Sequence, residues 1–213
     1  MSKPIIFSII SVLVTFCSAD INNDIYENSW AVVIGINKYH NAPTLSYAVQ
    51  DAQSVQSMLI DSFDYPPENI SLITDEQATK NNILRALSSL TNKAKSNDRV
   101  LIFFAGHGET MDLPNGGEAG YLLPIEADKN DLYLSSIGMD ELQKISSMSK
   151  SKHMLFLIDV CYGGIASVVS RSLGPTRGSG NQYIEKIIKN KARQIITAGG
   201  RGEQVIEKPE WGH

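Results

Sequence analysis

Two continuous apolar runs, each breaking off at a chemically reactive residue, constrain this chain more than any other feature. The first reads Val100-Leu101-Ile102-Phe103-Phe104-Ala105-Gly106 and stops at His107-Gly108. The second reads Met154-Leu155-Phe156-Leu157-Ile158-Asp159-Val160 and stops at Cys161-Tyr162-Gly163-Gly164. Short runs without polar alternation predict strands covered on both faces, as at the centre of a parallel sheet. In open α/β sheets the reactive groups gather beyond the carboxyl ends of the strands. An imidazole and a thiol then emerge on one rim of one sheet, as a cysteine nucleophile with a histidine base requires.

The rest of the chain alternates strand and helix. Trp30 to Ile36 is apolar and β-branched, and Thr44 to Phe63 carries Leu45, Ala48, Val49, Ala52, Val55 and Leu59 at helical spacing. Pro66-Pro67 breaks the chain before a short strand from Ile70 to Ile73. Thr79 is placed to cap a helix that presents Ile83, Leu84, Ala86, Leu87 and Leu90. Beyond His107 the stretch 112–120 is Gly/Pro-rich, and Tyr121 to Pro124 predicts a small hairpin or an edge excursion. A helix over Met139 to Met148 leads into the strand that ends at Cys161. The segment from Ile165 to Asn181 reads as a Ser/Gly/Arg-rich loop, Tyr183 to Lys189 as a short helix and Gln194 to Ala198 as a last strand. The fold class expected is α/β: a three-layer sandwich with a mostly parallel central sheet and right-handed crossovers.

Residues 1–19 read as an address rather than as structure. A basic start at Lys3 precedes an uncharged stretch from Pro4 to Ala19, and Cys17-Ser18-Ala19 offers small residues at the −3 and −1 positions of a cleavage site. The apolar core is short for a membrane span, so the expectation is a cleaved secretory signal and a secreted or periplasmic protein. The alternative is an uncleaved membrane anchor. Residues 20–28 then form a linker, and 29–213 one domain. Cleavage leaves 18 basic against 23 acidic side chains, a net of −5, and no Lys/Arg cluster. A nucleic-acid surface is not expected from that balance. Cleavage also removes Cys17 and leaves Cys161 as the lone thiol, which points to a reactive group rather than a disulfide framework.

A thiolate is the nucleophilic form of cysteine, and its pKa falls beside a positive charge or a helix N-terminus. The turn at Tyr162-Gly163-Gly164 lets backbone N–H groups face a developing oxyanion, with the amides of Cys161 and Gly108 as the natural donors. His107 is the candidate acid and base. His40, His153 and His213 lack a comparable setting. No CxxC or HxxxH spacing supplies the further ligands that zinc needs, so neither metal nor cofactor is expected. Gly199-Gly200-Arg201-Gly202 lacks the Lys-Ser/Thr ending of a phosphate loop and reads as a turn beside the cleft.

The ordered set Trp30-Ala31-Val32-Val33-Ile34-Gly35-Ile36-Asn37-Lys38-Tyr39, Ala48-Val49-Gln50-Asp51-Ala52, Phe103 to Gly108 and Asp159 to Gly164 resembles the caspase-hemoglobinase class of cysteine peptidases. It is most similar to the bacterial metacaspase-like members, over Ser29 to His213. The histidine precedes the cysteine by 54 residues, against roughly 50 in caspases. The resemblance implies a cysteine endopeptidase acting on protein or peptide substrates. Where caspases carry Gln-Ala before the nucleophile, this chain has Asp159-Val160. The resemblance then implies an acidic pocket from Asp159 and, at the start of the first helix, Asp51. An acid in the pocket suits Arg or Lys before the cut bond and penalises Asp.

The calcium site of some metacaspases is not expected, because 165–181 contains no Asp or Glu. Arg171 and Arg177 in that loop are candidate self-cleavage positions. The family fold continues past Gly212-His213 with a helix and a strand, which implies a C-terminally truncated domain with an open apolar face. Two other readings remain: a catalytically silent interaction domain of the same fold, and a small-ligand-binding α/β domain that only the architecture supports.

Overall fold

The structure, a computed structural model, describes residues 25–160 and 190–198. Its framework is a five-stranded sheet built from β1 (Ser29–Gly35), β2 (Ile70–Thr74), β3 (Arg99–Gly106), β7 (His153–Val160) and β8 (Ala192–Thr197). The spatial order is β2-β1-β3-β7-β8 and every neighbouring pair is parallel. Apart from partly exposed Arg99, all of β3 is buried, as its unbroken apolar run requires for a strand with neighbours on both edges and cover on both faces. Burial in β7 instead alternates strictly, with Met154, Phe156, Ile158 and Val160 turned into the core.

Helices cover both faces. α1 (Ala48–Phe63) lies on one, where Ala48, Ala52 and Leu59 cluster with Ala31, Val33, Leu101, Phe103 and Ala105. α2 (Lys80–Lys93) and α4 (Met139–Met148) lie on the other, where Ile83, Leu87, Leu90, Leu142 and Ile145 meet Val32, Ile34, Ile102 and Phe104. These are the three layers expected. Thr79 caps α2 as expected, its hydroxyl accepting from Asn82 N at 3.2 Å.

The first helix begins four residues later than its apolar spacing predicts, at Ala48 rather than Thr44. The Asn37 side chain explains the delay: its Oδ1 accepts from Val49 N at 3.2 Å and its main-chain O from Leu45 N at 2.8 Å. Those bonds satisfy the helix start from outside and hold 37–47 as a loop. The last strand likewise runs Ala192–Thr197 rather than 194–198. The expected loop 165–181 and helix 183–189 lie outside the described residues.

The hairpin beyond His107 is larger than expected. β4 (Gly108–Asp112) and β5 (Glu118–Leu122) pair antiparallel, and β6 (Ile137–Gly138), after the short helix α3 (Leu132–Ser135), adds a third strand. The turn uses Gly116 and Gly117 at φ 88° and 92°, values that L side chains avoid.

Two fixtures keep the layers in register. At the amino-terminal rim of the sheet the fully buried carboxylate of Asp98 accepts from Trp30 Nε1 at 2.9 Å, Asn28 Nδ2 at 3.2 Å and Lys95 N at 2.8 Å. At the opposite rim α1 packs directly onto the backbone of Gly35, where a Cβ would lie 2.3 Å from Ala48 O and 2.6 Å from Ala52 Cβ. Gly35→Ala is therefore expected to push the start of α1 off the sheet and to destabilise the fold by about 2 kcal/mol, within the usual range for overpacking. A urea unfolding series checks this: a midpoint equal to that of the parent chain would contradict it.

Candidate active site at the strand tips

The sheet order reverses between β1 and β3, because β1 leads outward to β2 while β3 leads the other way to β7. Connections leaving those two tips diverge to opposite faces, which is where open α/β sheets usually place a ligand crevice. His107 is the residue after β3, and the loop 37–47 leaves β1 beside it.

His107 is only half-buried, yet it is firmly held. Its Nε2 lies 2.8 Å from Pro43 O. A carbonyl oxygen can only accept, so Nε2 carries the proton of the neutral ring and Nδ1 holds the lone pair. The His107 amide donates to the Tyr39 hydroxyl at 2.8 Å, and the two rings sit 4.8 Å apart at 48°. His107 O accepts from Leu123 N at 3.0 Å. The loop that supplies Pro43 and Tyr39 is pinned in turn. Asp75 Oδ1 accepts from Asn37 N at 2.8 Å and Lys38 N at 3.0 Å, and His40 N donates to Ile125 O at 2.9 Å.

Gly108 follows with its N–H turned outward. It is partnered with Leu122, and the bond from Leu123 N to His107 O marks Gly108–Leu122 as a non-hydrogen-bonded pair of the ladder. The Gly108 N–H therefore points away from β5. β4 is an edge of the small sheet among the described residues, so that N–H faces the rim and not another strand.

Cys161 lies outside the described residues. Its covalent neighbour Val160 is paired with Gly106, the neighbour of His107, across adjacent parallel strands. Asp159 is paired with Ala105 and shares its face of the sheet, the face that α1 covers. Asp51 is in the first turn of α1, half-buried, with its amide donating to Tyr47 O at 2.9 Å. Both candidate pocket acids thus stand on the same face at the same end of the sheet.

The other histidines are elsewhere. His153 pairs with Arg99 at the start of the strands, and its ring bonds Tyr26 OH at 2.5 Å and Asn190 O at 2.9 Å. With eight residues in β7 at about 3.3 Å each, that ring belongs to the far rim. His40 is exposed, and His213 is outside the described residues. Among the described residues no group of three or more His, Cys, Asp or Glu is placed to hold a metal ion. No described helix is long and apolar enough to cross a membrane.

Sequence reasoning missed the residues that hold the histidine: Asn37, Tyr39, Pro43 and Asp75. A carbonyl has no side-chain signature, so Pro43 was invisible. Tyr39 had a weak signal, an aromatic four residues past a strand that pairs with the one leading into His107.

The sequence profile of the Peptidase_C14 family, the caspase domain, matches residues 28–206. Metacaspase-1 of Eremothecium gossypii is 32% identical over 151 residues, which cover 65% of this chain and 32% of that protein. Metacaspase-1A of Aspergillus oryzae is 31% identical over 148 residues, covering 64% and 34%. The chain thus spans about a third of the length of these curated relatives. A crystal structure of a Geobacter sulfurreducens protein superposes with a TM-score of 0.54 at 14% identity, covering 66% of this chain and 53% of that one, a likeness of fold alone.

The bond to Pro43 makes a spectroscopic prediction. Long-range proton–nitrogen correlation spectra of the neutral His107 ring are expected to show the Nε2–H form as the dominant tautomer. A dominant Nδ1–H form would contradict the geometry described.

Proposed function

The chain belongs to the caspase-domain family, and from that footing we propose that it is a cysteine endopeptidase that hydrolyses peptide bonds after Arg or Lys. The observation that carries this reading is the register of β3 with β7. Gly106 stands opposite Val160 across these parallel strands, and in the sequence His107 follows the one and Cys161 the other. Strands in a sheet run about 4.8 Å apart, a separation that an imidazole and a thiol can bridge.

The chemistry follows from the tautomer. His107 Nδ1 takes the proton of the Cys161 thiol, and the thiolate sulfur attacks the carbonyl carbon of the bond to be cut. The N–H groups of Gly108 and Cys161 hold the negative oxygen of the tetrahedral intermediate. As the C–N bond breaks, the protonated imidazole gives its proton to the leaving amine, and the acyl group remains on sulfur as a thioester. A water molecule, losing its proton to Nδ1, then attacks the thioester and releases the carboxylate product and the thiol. Pro43 O keeps Nε2–H bonded throughout and stabilises the ring when it is positive, as an orienting group does for a catalytic histidine.

Specificity rests on Asp159 and Asp51. Carboxylates on the α1 face at the rim favour a guanidinium or ammonium in the pocket and oppose a carboxylate there. Activity is expected on fluorogenic peptides ending in Arg or Lys and not on those ending in Asp, with Cys161→Ala inactive. Asp159→Asn is expected to lower kcat/KM for the Arg peptide about 100-fold, equivalent to about 2.7 kcal/mol for an unpaired pocket charge. Turnover only after Asp would overturn the pocket assignment, and turnover by Cys161→Ala the peptidase assignment. Residues 1–19 are proposed to direct export, so the mature protein starts at Asp20. An intact mass that retains residues 1–19 in the exported fraction would refute this.

A further inference from the structure

His107 is held at three points, and each acts on a different degree of freedom. The bond to Pro43 O orients the ring through Nε2. The bond from Leu123 N to His107 O fixes the peptide plane between residues 107 and 108, and with it the direction of the Gly108 N–H. The bond from His107 N to the Tyr39 hydroxyl, at 2.8 Å, fixes the plane between residues 106 and 107. The two planes flank one Cα, and their relative rotation sets where the imidazole leaves the backbone. Without the Tyr39 bond the first plane loses its side-chain anchor at the point where β3 gives way to β4.

Glycine at position 106 makes this contact possible. A Cβ there would lie 2.5 Å from the Tyr39 hydroxyl oxygen and 3.1 Å from Phe104 Cε1, so the oxygen occupies the space that a side chain would take. Tyr39 is itself anchored to the scaffold. Its ring packs against both the α2–α4 core and the small cluster of Tyr121, Leu123, Ala127 and Leu132, and its neighbours Lys38 and His40 are bonded to Asp75 and Ile125. The hydroxyl is therefore a fixed reference for His107 rather than a follower of it.

We propose that Tyr39 is a positioning residue of the peptidase reaction: its hydroxyl, seated in the space left by Gly106, holds the His107 backbone so that Nδ1 of the imidazole and the Gly108 N–H address the same scissile peptide group. This rests on the function proposed above. It makes Tyr39 and Gly106 one coupled unit, although neither touches substrate.

The test compares Tyr39→Phe, Gly106→Ala and the double variant in the full chain. It reads kcat and KM on the Arg peptide, the His107 tautomer by nitrogen spectroscopy, and the thermal midpoint. Tyr39→Phe is expected to lower kcat about tenfold, the equivalent of one lost hydrogen bond, with KM within about twofold. The tautomer signal is expected to change from dominant Nε2–H to a mixture, while the midpoint falls by no more than about 4 °C. Gly106→Ala is expected to lose more activity, because its Cβ displaces the hydroxyl. Removing that hydroxyl relieves the worst contact, so the double variant recovers to near the Tyr39→Phe level. Unchanged kcat in Tyr39→Phe, lost kcat with an unaltered tautomer, or strictly additive losses would each overturn the proposal. If the parent chain cleaves no peptide, the proposed function fails by itself. The tautomer then decides the positioning claim alone: a mixture in Tyr39→Phe sustains it and an unaltered ring refutes it.

Discussion

The parallel pairing of β3 with β7 is the constraint on which the rest depends. Eight consecutive residue pairs, from Arg99–His153 to Gly106–Val160, tie the two strands together without a bulge. A slip of one residue would turn Asp159 from the α1 face into the apolar core against α2 and α4 and would expose Val160. Burying an unpaired carboxylate there is heavily penalised, so the apolar pattern of β7 also determines which side chains arrive at the rim. Chemistry at the tips is thus a consequence of core packing several residues away.

Around that pairing the molecule builds support from loops rather than from regular elements. Asn37, two residues past the end of β1, bonds the start of α1 and Leu45 and so holds 37–47 as a loop. Asp75, at the tip of β2 with φ 40°, accepts from two successive amides of the same loop. A non-glycine residue in that region carries a conformational cost, and two strong bonds to one carboxylate oxygen offset it. Three strand tips therefore cooperate to place one carbonyl oxygen, that of Pro43, and one hydroxyl, that of Tyr39, against His107. Rigid first contacts held by a second layer of hydrogen bonds are what a catalytic group needs to keep its geometry.

Much of this was legible beforehand. Apolar runs identified β1, β3 and β7, Thr79 identified the start of α2, and the helix over Met139–Met148 was placed to the residue. Candidate groups His107 and Gly108 fell at a strand tip, because a strand buried on both faces must end where polar residues resume. The start of α1 was misread because Leu45 fits the helical period but packs from a loop. The third strand of the small sheet went unseen because two residues, Ile137 and Gly138, are too few to show a period.

The amino-acid sequence by itself determined the layers, the parallel sheet and the rim at which the imidazole of His107 emerges. All of these follow from local hydrophobic period and from where each apolar run stops. Only the tertiary structure decided which ring nitrogen of His107 holds its proton, which way the Gly108 N–H points and which residues hold them there. Those outcomes depend on a carbonyl, a ladder register and a hydroxyl brought from 64, 14 and 68 positions away respectively. A linear pattern carries no record of such contacts, because hydrogen-bond direction arises only when distant backbones share one rim.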